Sequence, residues 1–114
     1  MSELNVDIDL PMLESLRDLL GEKFPELIRT YNEDCAARIS RMGIALENHD
    51  FVQINHEAHG VKGSSRNMGA NSLALLCDQM ETKAKVEDAV AMPQIFSAIE
   101  QEFAATAQQL NNLL

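Results

Sequence analysis

The fold of this chain is decided by residues 24–47, which read FPELIRTYNEDCAARISRMGIALE. Apolar side chains recur in this stretch at steps of three and four residues: Phe24, Ile28, Tyr31, Cys35, Ile39, Met42 and Leu46. That spacing places them on one face of an α-helix, and such a face is buried by packing against other helices. Pro25 suits the first turn of a helix. The stretch therefore predicts a long amphipathic helix in a helical bundle.

Four more helices are predicted on either side of this stretch. Asp9 marks the start of a short helix that ends at Gly21. Asp50, three residues before Gln53, caps a third helix in the arrangement of a capping box, and Gly69 ends it. The apolar faces of the four helices are, in chain order, Leu10, Leu13, Leu16 and Leu20; Phe51, Ile54, Ala58, Val61, Ser65 and Met68; Leu73, Leu76, Cys77, Met80 and Ala84; and, after Met92-Pro93, Phe96, Ile99, Phe103, Thr106, Leu110 and Leu113. We expect an antiparallel up-down four-helix bundle with the additional short N-terminal helix covering one end.

The composition favours a single all-α domain. Hydrophobic residues make up 46% of the 114 residues, which is enough to bury one core, and the chain is too short for a second domain of ordinary size. Tryptophan is absent, and glycine and proline together number eight, which is few for a sheet protein. We therefore expect residues 1–114 to form one domain.

The chain is strongly acidic. Eighteen acidic residues against nine basic ones give a net charge of −9, which disfavours binding to nucleic acid or to an anionic membrane surface. No apolar run approaches the ~18 residues that are needed to span a bilayer. Cys35 and Cys77 lack CxxC spacing and no signal peptide precedes them, so reduced thiols are expected. These features predict a soluble, cytoplasmic protein.

One segment departs from the ordinary helical pattern. His59, Lys62 and Gly63 share a helix face that points away from the apolar stripe, because positions i, i+3 and i+4 are neighbours on a helix. Glycine inside a helix costs roughly 1 kcal/mol relative to alanine, but its missing Cβ leaves room for another protein beside the imidazole. A neutral imidazole offers a nucleophilic nitrogen, and the lysine ammonium could reach phosphoryl oxygens as a mobile point charge. This face predicts phosphoryl transfer, which depends mainly on positioning and charge neutralisation.

The charge along this segment supports the same interpretation. Residues 59–85 contain four basic residues and two acidic ones, a local balance of +2: Lys62, Arg66, Lys83 and Lys85 against Asp78 and Glu81. A basic neighbourhood suits a site that must hold an added dianion. The sequence contains no GxxxxGK[ST] loop, so we expect no ATP site.

A wider signature surrounds His59: Ala58-His59-Gly60-Val61-Lys62-Gly63-Ser64-Ser65, then Met68-Gly69-Ala70, Leu73, Cys77 and Glu81. Over these residues the chain closely resembles the histidine-containing phosphotransfer (HPt) family, and its stand-alone bacterial members in particular. The resemblance implies a four-helix bundle that relays a phosphoryl group between receiver-domain aspartates of a hybrid sensor kinase and a response regulator, in a multistep two-component phosphorelay. It also implies a monomeric phosphoryl carrier with no kinase activity and no bound cofactor, and magnesium in the partner's aspartate pocket.

The resemblance further implies a role for each residue of the site. His59 accepts the phosphoryl group on its outer ring nitrogen, Lys62 balances the added charge, and Gly63 gives the receiver domain clearance. Glu81 falls where family members place a glutamine or glutamate that accepts a hydrogen bond from the other ring nitrogen and orients the ring. The surface that meets the receiver domain is predicted to include Arg66, Gly60, Asn55 and His56.

Two other functions are compatible with the sequence. The same helix face could bind a partner helix without accepting phosphate, as a phosphorylation-independent interaction module. Alternatively, His56 and His59 could converge on one metal ion. However, Gly60 stands where an HExxH motif requires histidine, and Gln53 stands where a di-iron ExxH pair requires glutamate. We therefore expect no metal site.

Overall fold

The computed structural model describes residues 7–114, and this part of the chain is helical almost throughout. Its five α-helices are α1 (Leu10–Leu20), α2 (Phe24–Glu47), α3 (Phe51–Asn67), α4 (Asn71–Lys85) and α5 (Met92–Asn111), and a 3-10 turn (Gly21–Lys23) joins α1 to α2. Each of α2 to α4 packs on the next helix, and α5 closes the bundle against α2. The predicted four-helix bundle with a short N-terminal helix is confirmed. Among the helices of residues 7–114, none combines the length and the apolar character needed to cross a membrane.

The predicted helix starts are set by aspartate caps. Oδ1 of Asp9 accepts a hydrogen bond from the backbone N–H of Met12 (3.1 Å), and Oδ1 of Asp50 accepts one from the backbone N–H of Gln53 (3.2 Å). Each cap satisfies a donor that the first helical turn leaves unpaired. The capping box at Asp50 is only half formed, because the Gln53 side chain donates to Glu57 instead of returning to the cap.

The turn between α3 and α4 anchors the N-terminal segment. Gly69 adopts a φ of 73°, a left-handed conformation that glycine reaches without strain. Its carbonyl accepts the backbone N–H of Asp9 (3.0 Å), and the carbonyl of Asp7 accepts the backbone N–H of Asn71 (3.1 Å). A Cβ on Gly69 would lie 2.8 Å from Cβ of Asp9, so this close approach also requires glycine. These contacts hold α1 over one end of the bundle.

The bundle core takes side chains from all five helices. Fully buried members are Leu13, Ile28, Met42, Ile54, Val61, Leu73, Met80, Ile99 and Leu110. Most of the predicted apolar positions are buried. The exceptions on the first four helices are the exposed Leu10 and the half-buried Leu16, Leu20, Leu46, Phe51 and Leu76, and Ala45 is buried in place of Leu46. Phe96, Phe103 and Leu113 are also half-buried, because α5 is covered only by α2 and α4 and its flanks reach solvent.

Both cysteines lie inside the bundle as free thiols, as the sequence predicts. Burial raises the pKa of Cys35 to about 11 and that of Cys77 to about 12. A thiol whose pKa is raised in this way stays protonated at neutral pH and is a poor nucleophile. The two cysteines therefore serve as small apolar side chains of the core.

A buried carboxylate that the sequence analysis missed joins α2 to α3. The side chain of Glu57 is only 2% exposed. It accepts hydrogen bonds from Nε of Arg41 (2.8 Å), Nη1 of Arg38 (3.2 Å) and Nε2 of Gln53 (2.6 Å). Burial alone would raise the pKa of Glu57, but the hydrogen bonds and charges of the arginines outweigh it and the pKa is lowered. The carboxylate is therefore ionised and holds the two helices in register.

Replacing Glu57 by glutamine should lower the free energy of unfolding by roughly 1.5–3 kcal/mol at neutral pH, because the amide loses charge-assisted hydrogen bonds with Arg38 and Arg41, which are partly exposed and can be solvated. The pKa of Glu57 is lowered by folding, so its contribution is present above the unfolded-state pKa and is lost as the pH falls through the folded-state value. Urea denaturation should show that the difference between parent and variant narrows in acid. The exposed Glu47→Gln is the control, and an equal loss in Glu47→Gln, or a loss that does not change with pH, would contradict the prediction.

Candidate functional site

His59 stands on the outer surface of α3. Its side chain is 69% exposed, whereas its neighbours Ala58 and Val61 are fully buried in the core. Nδ1 of the ring lies 2.9 Å from Oε2 of Glu81 on α4. This contact fixes the ring through one nitrogen and leaves Nε2 as the nitrogen that a reagent from solvent can reach.

Glu81 is buried and contacts both other polar side chains of the site. Its Oε2 faces His59, and its Oε1 forms an ion pair with the ammonium group of Lys62. Burial alone would raise the pKa of Glu81, but the hydrogen bonds from Lys62 and His59 more than offset this effect and the pKa is lowered. Glu81 is therefore an anionic acceptor, which assigns the proton of a neutral His59 ring to Nδ1 and the free lone pair to Nε2.

Lys62 is held in place more firmly than the sequence suggests. Its side chain is 14% exposed, and its ammonium group contacts Glu81 and also Oδ1 of Asp78 at 3.2 Å. The hydrogen bond to Glu81 is the largest of the contacts that raise the pKa of Lys62, so the group is charged. Two carboxylates on α4 thus bind the ammonium before any phosphoryl group arrives, and its role as a mobile point charge stays a prediction.

The charge immediately around His59 also differs from the sequence estimate. Glu81 contacts the ring, Lys62 contacts Glu81, and Asp78 contacts Lys62, so the three charged groups linked to the ring carry a net charge of −1. The balance of +2 counts every charged residue from 59 to 85. Some of these basic residues make their ion pairs outside the group linked to His59. Lys83, for example, pairs with Asp88 at 3.2 Å in the turn after α4.

The two glycines beside His59 have different surroundings. A Cβ on Gly63 would find no atom within 4 Å, so nothing inside the protein requires glycine there. A Cβ on Gly60 would lie 2.5 Å from Nη1 of Arg38, so Gly60 makes room for the arginine that binds Glu57. Gly60 thus has an internal reason, whereas clearance for a partner at Gly63 stays a prediction.

The other residues predicted for the partner surface also differ, because some are exposed and one makes a contact inside the protein. His56 and Arg66 are exposed on α3. Asn55 is half-buried, and its side-chain amide donates to the backbone carbonyl of Glu81 at 3.2 Å. Asn55 therefore links α3 to α4 beside the site, and its contact with a partner stays a prediction.

A groove that the sequence analysis missed opens near Gly63, between α2 and α3. It has a volume of about 300 Å³ and is lined by Leu27, Thr30, Tyr31, Asp34, Ser64, Asn67 and Met68. The hydroxyl groups of Tyr31 and Ser65 share a buried hydrogen bond of 2.7 Å beneath it. In the sequence, Leu27 is an apolar residue next to the α2 stripe but not part of it, and this was the signal for the groove. The structure leaves Leu27 half-buried.

Potential metal ligands do not cluster in the described part of the chain. Residues 7–114 contain no group of three or more histidine, cysteine, aspartate or glutamate side chains placed to hold one ion. Around the imidazole, the arrangement instead combines an exposed nucleophile, an anionic acceptor and an ammonium group. This combination can accept a transferable group at Nε2 and stabilise the charge that develops on the ring.

Comparison with known proteins gives one consistent family. The family model described as the Hpt domain matches residues 26–111. Histidine-containing phosphotransfer protein 5 of Arabidopsis thaliana is 28% identical in an alignment of 105 positions, and the alignment covers 86% of this chain and 67% of that protein. Histidine-containing phosphotransfer protein 2 of the same plant is 26% identical over 112 residues, which cover 95% of this chain and 72% of that protein.

Solved structures agree with this result. The crystal structure of histidine-containing phosphotransfer protein B from Pseudomonas aeruginosa superposes with a TM-score of 0.88 at 30% identity, covering 93% of this chain and 92% of that chain. A histidine-containing phosphotransfer protein from maize superposes with a TM-score of 0.83 at 19% identity, covering 94% of this chain and 88% of that chain. At that lower identity the maize structure supports the fold alone.

Proposed function

The chain belongs to the Hpt domain family, and we propose that His59 is the residue on which it carries the phosphoryl group in histidine phosphotransfer. One observation carries this proposal: the His59 ring is exposed while Glu81 holds its Nδ1 at 2.9 Å. That contact orients Nε2 outward with its lone pair free, which a nucleophile needs before a partner arrives.

The reaction follows from these positions. Nε2 attacks the phosphorus of an aspartyl phosphate on a receiver domain, the Nε2–P bond forms, the P–O bond breaks, and the aspartate leaves as a carboxylate. Nδ1 keeps its proton throughout, so the ring becomes cationic and the Glu81 carboxylate stabilises it. Lys62, which shares Glu81 with the ring, would turn its ammonium towards the phosphoryl oxygens. Attack by a second receiver aspartate on the same phosphorus reverses the sequence and frees His59.

The partners that fit this chemistry are receiver domains. We propose that the chain takes the group from the receiver domain of a hybrid sensor kinase and delivers it to that of a response regulator. Magnesium would act in the partner's aspartate pocket, and the chain itself would act without ATP, as a cytoplasmic monomer. The receiver would contact Gly63 and the groove beside it, together with the exposed His56 and Arg66.

Incubation with a receiver domain that carries a radiolabelled aspartyl phosphate tests the proposal. We expect the chain to acquire a label that is labile in acid and stable in alkali, as a phosphoramidate bond requires. The labelled chain should then lose its label to a second, unlabelled receiver. An acid-stable label, or none with any receiver that is active towards another Hpt protein, would contradict the proposal.

A further inference from the structure

Two carboxylates share the ammonium group of Lys62, and they differ in what else they do. Glu81 is buried and also holds the His59 ring. Asp78 is 45% exposed, contacts Lys62 at 3.2 Å, and lies one helical turn before Glu81 on α4. Glu81 therefore holds the ring, and Asp78 reaches the site through its ion pair with Lys62.

A phosphoryl group on Nε2 of His59 would compete with Asp78 for the same ammonium. The ammonium group has three donors, and Glu81 and Asp78 already engage it from α4. The incoming group is a dianion. It joins a cluster of three charged groups, Lys62, Asp78 and Glu81, whose net charge is already −1. The third donor remains for its oxygens, but they gain the full attraction of Lys62 only when Asp78 no longer offsets the charge of the ammonium.

We propose that Asp78 is a positioning residue that withholds Lys62 from the phosphoryl group and thereby keeps the phosphorylated form of the chain from becoming too stable to release. This inference rests on the proposed function, since it assumes that His59 is phosphorylated. A carrier must give up its group as readily as it takes it. The Asp78–Lys62 pair moves the transfer equilibrium towards the receiver aspartate.

The Asp78→Asn variant isolates this effect, because the amide keeps the shape of the side chain and removes its charge. Three proteins are compared: the parent, Asp78→Asn, and the charge-matched control Glu100→Gln at an exposed position on α5. Each is phosphorylated with phosphoramidate and then mixed with the same receiver domain. The ratio of phosphohistidine to phosphoaspartate is measured at equilibrium. We expect this ratio to rise about two- to fivefold in Asp78→Asn, the range for a partly exposed ion pair, and to stay unchanged in Glu100→Gln.

A second pair of variants tests whether Asp78 acts through Lys62. In a Lys62→Met background, the further change of Asp78 to asparagine should shift the ratio by less than half as much as it does in the parent. An unchanged or lowered ratio in Asp78→Asn, an equal rise in Glu100→Gln, or a full effect without Lys62 would overturn the inference. If the parent exchanges no phosphoryl group with the receiver at all, the proposed function fails instead.

Discussion

Replacing His59 by glutamine should reduce phosphoryl acceptance to background while leaving the bundle folded. The side chain is 69% exposed and makes no contribution to the core, so the free energy of unfolding should change by no more than roughly 0.5 kcal/mol. Glutamine can still donate to Glu81 but offers no nucleophilic nitrogen. The measurements are label transfer from a phosphorylated receiver and urea denaturation of the same preparations.

The matched control for this variant is His56→Gln. His56 is exposed on the same helix, one turn before His59, so the substitution is chemically identical and only its position differs. We expect phosphoramidate, a small phosphoryl donor that needs no docking surface, to label His56→Gln as well as the parent and not to label His59→Gln. Retained labelling of His59→Gln would refute the assignment. If signalling output survived in His59→Gln although labelling was lost, the phosphorylation-independent interaction module would be the better account.

Replacing Gly63 by glutamine should make the protein more stable and the transfer slower. A Cβ at this position meets nothing, so the gain in helix propensity should raise the free energy of unfolding by roughly 0.5–1 kcal/mol. The longer side chain would occupy the space where the receiver approaches His59. A displacement of about 1 Å in the attacking geometry can cost on the order of 100-fold in rate, and we expect a loss of that order.

A small phosphoryl donor shows whether Gly63→Gln slows transfer by obstructing the receiver domain or by damaging the His59 nucleophile. Phosphoramidate needs no docking surface, so it should label Gly63→Gln at the rate of the parent while transfer from a receiver falls. Gly63→Ala should share the gain in stability and lose much less of the transfer rate. Slow labelling by phosphoramidate, or undiminished transfer from the receiver, would show that Gly63 does not serve as clearance.

Much of the fold could be predicted because each helix carries its own signals. Aspartate caps, Gly69 and the three- and four-residue spacing of apolar side chains act within a few residues of one another, and the bounds of α1 and α3 follow them closely. The Glu57 network could not be predicted in the same way. Its arginines come from α2, and the sequence does not show which turn of α2 faces Glu57 once the helices pack.

The same limit explains which parts of the site the sequence revealed. His59, Lys62 and Gly63 lie within five residues of one another on one helix, so helical geometry alone places them together. Glu81 was expected beside the ring only through the family resemblance. Asp78 was counted merely as charge, because its contact with Lys62 depends on how α3 and α4 are aligned. A charge balance taken along the chain therefore does not show which charged groups are linked to the ring.

The most direct test of the central claim is to determine which atom of the chain carries the phosphoryl group. Phosphorus and nitrogen NMR spectra of the phosphorylated, isotope-labelled protein distinguish the two ring nitrogens of each histidine. We predict phosphorus bonded to Nε2 of His59, with the proton retained on Nδ1 by Glu81. Phosphorus on Nδ1 of His59, or on His56 or any other residue, would contradict the account.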